Sequence, residues 1–149
     1  MRIALYQPEI AGNLGTILRL GACLGVPVDV IGPCGFPLGD RGLRRSGMDY
    51  IEIAALTLHA DWTAFRAATR GRLVLFTTRA ASPLPEMTFH PDDVLLFGSE
   101  GGGVPEPVRA AADQAVRIPV AAGTRSLNLA VAAGMGLGEA LRQTDGWPR

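Results

Sequence analysis

Six short, almost wholly apolar runs, at residues 3–6, 28–31, 51–55, 73–76, 94–97 and 115–118, recur along the chain with helical patterning between most of them. A strand that is apolar at every position has no face for water. It must be covered on both sides, as parallel strands are beneath crossover helices. Strands alternating with helices therefore predict an α/β fold built on a mostly parallel, doubly wound sheet. Ligands bind such sheets beyond the carboxyl ends of the strands, so the loops that follow the apolar runs are the places to look for function.

The helical patterning is legible in part. Leu14, Ile17, Leu18, Gly21 and Ala22 share one face at 3.6-residue spacing, which predicts a first helix capped by Asn13, with Thr16 and Arg19 off the buried face. Trp62 and Phe65 mark a second helix over about 59–69, Pro105 opens a third, and Ser126 caps a fourth that runs to about Arg142. Residues 33–40 carry loop chemistry and lead into a short helix over 41–46, while 80–91 reads as a loop. With 149 residues and no repeat or linker, the chain is read as one domain over 1–149.

Composition narrows the chemistry. The chain is 48% hydrophobic but only 6% aromatic, so its core rests on Leu, Val, Ile and Ala. Fourteen basic residues balance fourteen acidic ones, which rules out bulk electrostatic capture of nucleic acid and makes any RNA site a local one. Every basic residue is arginine. The lack of lysine removes the phosphate-loop NTPase and any Schiff-base mechanism, whereas arginine offers a planar fork suited to phosphates and bases. Cys23 and Cys34 are the only cysteines and no leader-like segment precedes Ala4, which reads as a cytoplasmic chain with reduced thiols. The longest apolar runs fall well short of the roughly 20 residues that a spanning helix requires, so no membrane partner is expected.

Three polar segments follow apolar runs. Pro8-Glu-Ile-Ala-Gly-Asn-Leu-Gly-Thr-Ile-Leu-Arg19 comes after the first, Gly98-Ser-Glu-Gly-Gly-Gly103 after the fifth, and a loop delivering Arg125, Ser126 and Asn128 to a helix start after the last. Successive glycines let backbone approach a ligand closely, and Glu100 is the one carboxylate in an otherwise small-residue turn. The order Gly-x-x-Gly-Gly-Gly is not a dinucleotide fingerprint. The last helix is thin, with Ala130, Ala132, Ala133, Gly134, Gly136 and Gly138, so a second subunit or a neighbouring segment must press against it. His59 and His90 are far apart in sequence and the cysteines fall in no ligand spacing, so no metal is expected. No nucleophile elbow is present. Asp92-Asp93 reads as the polar lead into a strand, and Arg41, Arg44 and Arg45 as either a phosphate grip or an ordinary surface cluster.

Taken in order, four phrases resemble the SPOUT class of RNA methyltransferases, in its ribose 2′-O-methylating branch: Tyr6-Gln-Pro-Glu-Ile with Asn13 and Arg19, Leu43-Arg-Arg-Ser-Gly-Met-Asp-Tyr50, Phe97-Gly-Ser-Glu100, and Arg117-Ile-Pro with Arg125-Ser-Leu-Asn128. Within that branch the likeness is greatest to the enzymes that methylate the wobble ribose of tRNA. The resemblance implies a parallel sheet with a C-terminal trefoil knot, a homodimer, S-adenosyl-L-methionine as cofactor, and methylation of the wobble 2′-hydroxyl, at cytidine or uridine 34. It implies a cofactor set of Phe76, Thr77, Gly98, Glu100, Ile118, Ser126 and Leu127. It implies a catalytic set of Arg19, Asn13, Glu100, Ser126 and Asn128, with Arg41, Arg44 and Arg45 on the anticodon stem-loop.

Two places depart from the family pattern: Gly102 stands where a basic residue is expected, and Ala11-Gly12 replaces a proline-rich turn. Three other readings stay open on the sequence alone. One is a sister enzyme acting on another RNA ribose, the second a non-catalytic adenosine-ligand or RNA-binding module. The third, a nicotinamide-dependent oxidoreductase, rests only on sheet class and glycine content.

Overall fold

The computed structural model describes residues 1–38 and 55–149. Strand β1 (Arg2–Tyr6) leads into helix α1 (Ala11–Leu24) and β2 (Val28–Ile31), and β3 (Leu56–His59) into α2 (Trp62–Ala68) and β4 (Leu73–Phe76). There follow the two-residue β5 (Ser82–Pro83), a 3-10 turn at Leu84–Glu86, β6 (Val94–Phe97), α3 (Glu106–Ala110), β7 (Gln114–Arg117) and α4 (Leu129–Gln143). Among the described residues seven strands form one sheet in the order β3-β2-β1-β6-β4-β7-β5, and every pairing between them is parallel.

Alternation along the strands sorts side chains to two cores. Ile3 and Leu5, Val74 and Phe76, Leu95 and Phe97 meet the buried faces of α1 and α4, while Ala4, Leu73, Leu75, Val94 and Leu96 meet Phe65 of α2 and Val108 of α3. Central strands buried on both faces are what their unbroken apolar runs demand. Asp29 is fully buried in β2 and is matched by Arg2 Nε at 2.5 Å and His59 Nε2 at 2.7 Å, so its charge is not left alone in the interior.

Several expectations need correction. Asn13 does not cap α1: the helix begins two residues earlier, behind Ile10, which offers no capping side chain. His59 belongs to β3, and the helix after it starts at Trp62 with Asp61 accepting from the Ala64 N–H. The cap of α4 is Asn128, not Ser126, because the Asn128 Oδ1 accepts from the Ala130 and Val131 N–H groups. The expected loop over 80–91 contains β5 and the 3-10 turn. The strand expected over 51–55 lies, but for Ala55, outside the described residues, as does the helix over 41–46. No helix among the described residues is long and apolar enough to cross a membrane.

Candidate active site

Three loops at the carboxyl ends of neighbouring strands enclose a cleft of about 540 Å³. One follows β4 and carries Thr77, one follows β6 and spans Gly98 to Gly103, and one follows β7 and runs from Ile118 to Asn128. The Arg117 guanidinium, at the end of β7, donates to the Ala80 carbonyl at 3.2 Å and ties the first loop to the third.

The glycine loop closes on itself. Ser99 and Gly103 exchange backbone hydrogen bonds of 2.9 Å in both directions, and the Gly102 N–H donates to Ser99 Oγ at 3.2 Å. A Cβ on Gly98 would stand 2.4 Å from the Gly103 carbonyl carbon, so glycine is the only residue that this return accommodates. Phe76 forms a wall of the cleft, its ring stacked on Phe97 with centroids 4.5 Å apart. Behind Phe76 lies Gly136 of α4, where a Cβ would meet the ring at 2.6 Å. Part of the thin helix is thereby explained within the chain.

A polar relay crosses the cleft mouth. Asn128 spends its oxygen on the start of α4, so its Nδ2 donates to Asn13 Oδ1 at 2.9 Å. That fixes the Asn13 amide, whose Nδ2 donates to Glu100 Oε1 at 2.9 Å. The Glu100 carboxylate also accepts the Ile10 N–H at 3.2 Å and the Glu9 N–H at 2.7 Å. In return, Glu9 Oε2 accepts the Gly101 N–H at 2.9 Å.

The cleft brings together all seven residues of the expected cofactor set, Phe76, Thr77, Gly98, Glu100, Ile118, Ser126 and Leu127, and Asn13 and Asn128 with them. Arg19 is not among the lining residues: it is exposed on α1, beyond Asn13 by roughly 9 Å of helix rise. Arg41, Arg44 and Arg45 lie outside the described residues. Sequence reasoning missed Arg79 and Arg109, which also line the cleft, and Glu9, whose only signal is its place in the segment before α1.

The sequence profile of the SpoU rRNA methylase family matches residues 1–138. The chain belongs to this family. It is 57% identical over 144 residues to the tRNA (cytidine(34)-2′-O)-methyltransferase of Beijerinckia indica, across 95% of this chain and 90% of that one. Among solved structures, one concerned with the 2′-OH methylation of C/U34 on tRNA superposes with a TM-score of 0.88 at 44% identity, covering 95% of this chain and 94% of the other. The AdoMet-bound rRNA methyltransferase of Sinorhizobium meliloti superposes with a TM-score of 0.83 at 28% identity, covering 95% of this chain and 55% of the other.

In this SpoU methylase the Glu100 carboxylate is held ionised. Partial burial works against the charge, but the hydrogen bonds from Asn13 and from backbone N–H groups at Glu9, Glu100 and Ile10 outweigh it, and its pKa falls below the ordinary 4.5. Both oxygens are taken by these donors, so Glu100 braces the loops and supplies the carboxylate that the first turn of α1 lacks. A lowered folded-state pKa gives stability that is full above the unfolded value and is lost as pH falls through the folded one. Melting curves taken from about pH 7 down to about pH 3 should therefore show Glu100→Gln least stable relative to the native protein at neutral pH, the gap narrowing below about pH 4.5.

The SpoU chain also places His90, Asp92 and Asp93 together at the opposite, amino-terminal end of the sheet. Asp93 there is fully buried and serves Arg72, with Nε and Nη2 at 2.8 and 2.7 Å, and the His90 N–H. Asp92-Asp93 leads into β6 as the sequence reads, and Asp93 is in addition one half of an internal ion pair.

Proposed function

We propose that this chain transfers a methyl group from S-adenosyl-L-methionine to the ribose 2′-hydroxyl of nucleotide 34, cytidine or uridine, in tRNA. The observation that carries the reading is the 57% identity to an enzyme named for that reaction, over a span that includes every residue of the cleft. The cofactor reading is supported by the AdoMet-bound neighbour and by the fit of the cleft: apolar walls at Phe76, Ile118 and Leu127, and a loop whose bare backbone a Cβ at Gly98 would obstruct.

When bound, S-adenosylmethionine supplies a methyl group already activated on a sulfonium. The protein's part is alignment, which contributes roughly 7–11 kcal/mol when reacting groups are held in line. Backbone at Phe76, Thr77, Gly98, Ile118 and Leu127, with Ser126 beside it, holds the cofactor, and Asn13, Asn128 and Glu100 hold the loops that carry those groups. Arg19 faces the RNA as a fixed cation, and Arg41, Arg44 and Arg45 contact the anticodon stem-loop. A tRNA substrate makes the protein cytoplasmic.

The C-terminal part is read as a trefoil knot. This is supported by β6 lying between β1 and β4, and by the return of α4 from β7 to the face it shares with α1. The chain is read as a homodimer through α4, supported by Val131 and Met135, which are 50% and 46% exposed one turn apart, beside Gly134 and Gly138. Sedimentation is expected to give twice the chain mass of 15.7 kDa, and Val131→Arg with Met135→Arg to give the chain mass.

The function is tested with purified protein, methyl-labelled S-adenosylmethionine and unmodified bulk tRNA, followed by mapping of the labelled nucleotide. Label on the ribose at position 34 is the expected result. Label elsewhere makes the chain a sister enzyme, and cofactor binding without label makes it a binding module.

A further inference from the structure

The segment before α1 and the glycine loop are joined by an exchange of carboxylates. Glu100, in the loop, accepts the Glu9 and Ile10 N–H groups at 2.7 and 3.2 Å; Glu9, before the helix, accepts the Gly101 N–H at 2.9 Å. Each side chain therefore grips the other's backbone. A third strand of chain packs beneath: the Gly35 N–H donates to the Pro8 carbonyl at 3.0 Å, and a Cβ on Gly35 would meet Glu9 Cα at 2.9 Å. Glu9 thus has its backbone fixed from below while its carboxylate reaches up to the loop.

Gly101 has no side chain of its own with which to dock, and a Cβ placed on it would meet the Glu9 carboxylate at 3.1–3.4 Å. The middle of the loop is consequently held from outside. We propose that Glu9 is a positioning residue for the cofactor cradle: by clamping the Gly101 N–H it fixes the loop in its ligand-binding shape and joins it to the start of α1. Glu9 does not line the cleft, so it acts through Gly101 and Glu100. The hydrogen bond has an ionised acceptor, which makes it stronger than a neutral one, and a loop left to fluctuate must be ordered when ligand binds. The inference rests on the methyltransferase reading for its ligand.

The experiment measures S-adenosylmethionine affinity by calorimetry, the melting temperature without ligand, and the KM for cofactor and kcat with tRNA, for the native protein, Glu9→Ala and Glu9→Gln. Glu9→Ala is expected to weaken cofactor binding about tenfold and to raise the cofactor KM more than it lowers kcat, with little change in melting temperature. Glu9→Gln keeps an oxygen for the Gly101 N–H and should stay within about threefold of native affinity. Unchanged affinity in Glu9→Ala would overturn the inference. So would an affinity loss that tracks a fall in melting temperature and is not rescued by Glu9→Gln. A native protein that binds cofactor yet methylates no RNA would instead defeat the functional reading, while the affinity comparison still decides the role of Glu9.

Discussion

Gly98→Ala should lower S-adenosylmethionine affinity by about a hundredfold or more while leaving the rest of the fold in place. The new Cβ would lie 2.4, 2.6 and 2.7 Å from the carbonyl carbon, Cα and carbonyl oxygen of Gly103, all of them backbone atoms with no rotamer to change. To admit it, the loop must break one or both of the 2.9 Å hydrogen bonds between Ser99 and Gly103, and overpacking of this kind costs about 1–3 kcal/mol before any ligand contact is counted. Gly102→Ala is the matched comparison. It makes the same chemical change four residues later, where the nearest atom to the added Cβ is Ser99 Oγ at 3.4 Å, and should bind cofactor within about threefold of the native protein. Calorimetry on both variants checks this, with near-ultraviolet dichroism as the control for global unfolding. Equal affinities would mean that the loop's shape does not hold the ligand.

The contrast between those two glycines also marks where sequence reading stops. Three strands, at 28–31, 73–76 and 94–97, were legible to the residue, because parallel strands buried on both faces write unbroken apolar runs that only a covered sheet can use. Helix starts were less legible. Asn13 and Ser126 carry capping chemistry, but α1 begins behind Ile10 and α4 behind Asn128. In α1 the missing cap is supplied by Glu100, 90 residues away from Ile10, and no local rule can report a partner brought in by the fold. The same holds for Glu9, whose partner Gly101 lies 92 residues away along the chain. The edge strand β3 was not read from the sequence at all, because its burial is partial, with Thr57 and Leu58 exposed, and its pattern correspondingly weak. The thin α4 was read as pressed by either a second subunit or a neighbouring segment of the chain. Gly136 meets Phe76 of its own chain, whereas nothing comes within 4 Å of a Cβ at Gly134.

Arg19→Ala is expected to reduce kcat by about 100- to 1000-fold, the effect of removing one preorganised donor from a developing oxyanion, while cofactor affinity stays within about twofold. The split follows from position. Arg19 is on the exposed side of α1 and does not line the cofactor cleft, so its loss leaves the cradle of Phe76, Gly98, Ile118 and Leu127 as it was. The 2′-hydroxyl that takes the methyl group must give up its proton, and negative charge develops on its oxygen as the O–H bond loosens, before the new O–C bond consumes it. A guanidinium is a poor base, since it stays charged throughout the accessible pH range, but for the same reason it is a dependable counter-charge for that oxygen and for the adjoining phosphate. Arg19→Lys keeps the charge and loses the planar fork, and should recover part of kcat without the native KM for tRNA. Because arginine does not titrate, the pH dependence of kcat should keep its native midpoint in Arg19→Lys; a displaced midpoint would identify Arg19 with the proton acceptor instead. Single-turnover methylation, with cofactor binding measured on the same preparations, separates these cases. Full transfer activity in Arg19→Ala would remove the residue from the chemistry and leave the relay of Asn128, Asn13 and Glu100 among the polar groups that line the cleft.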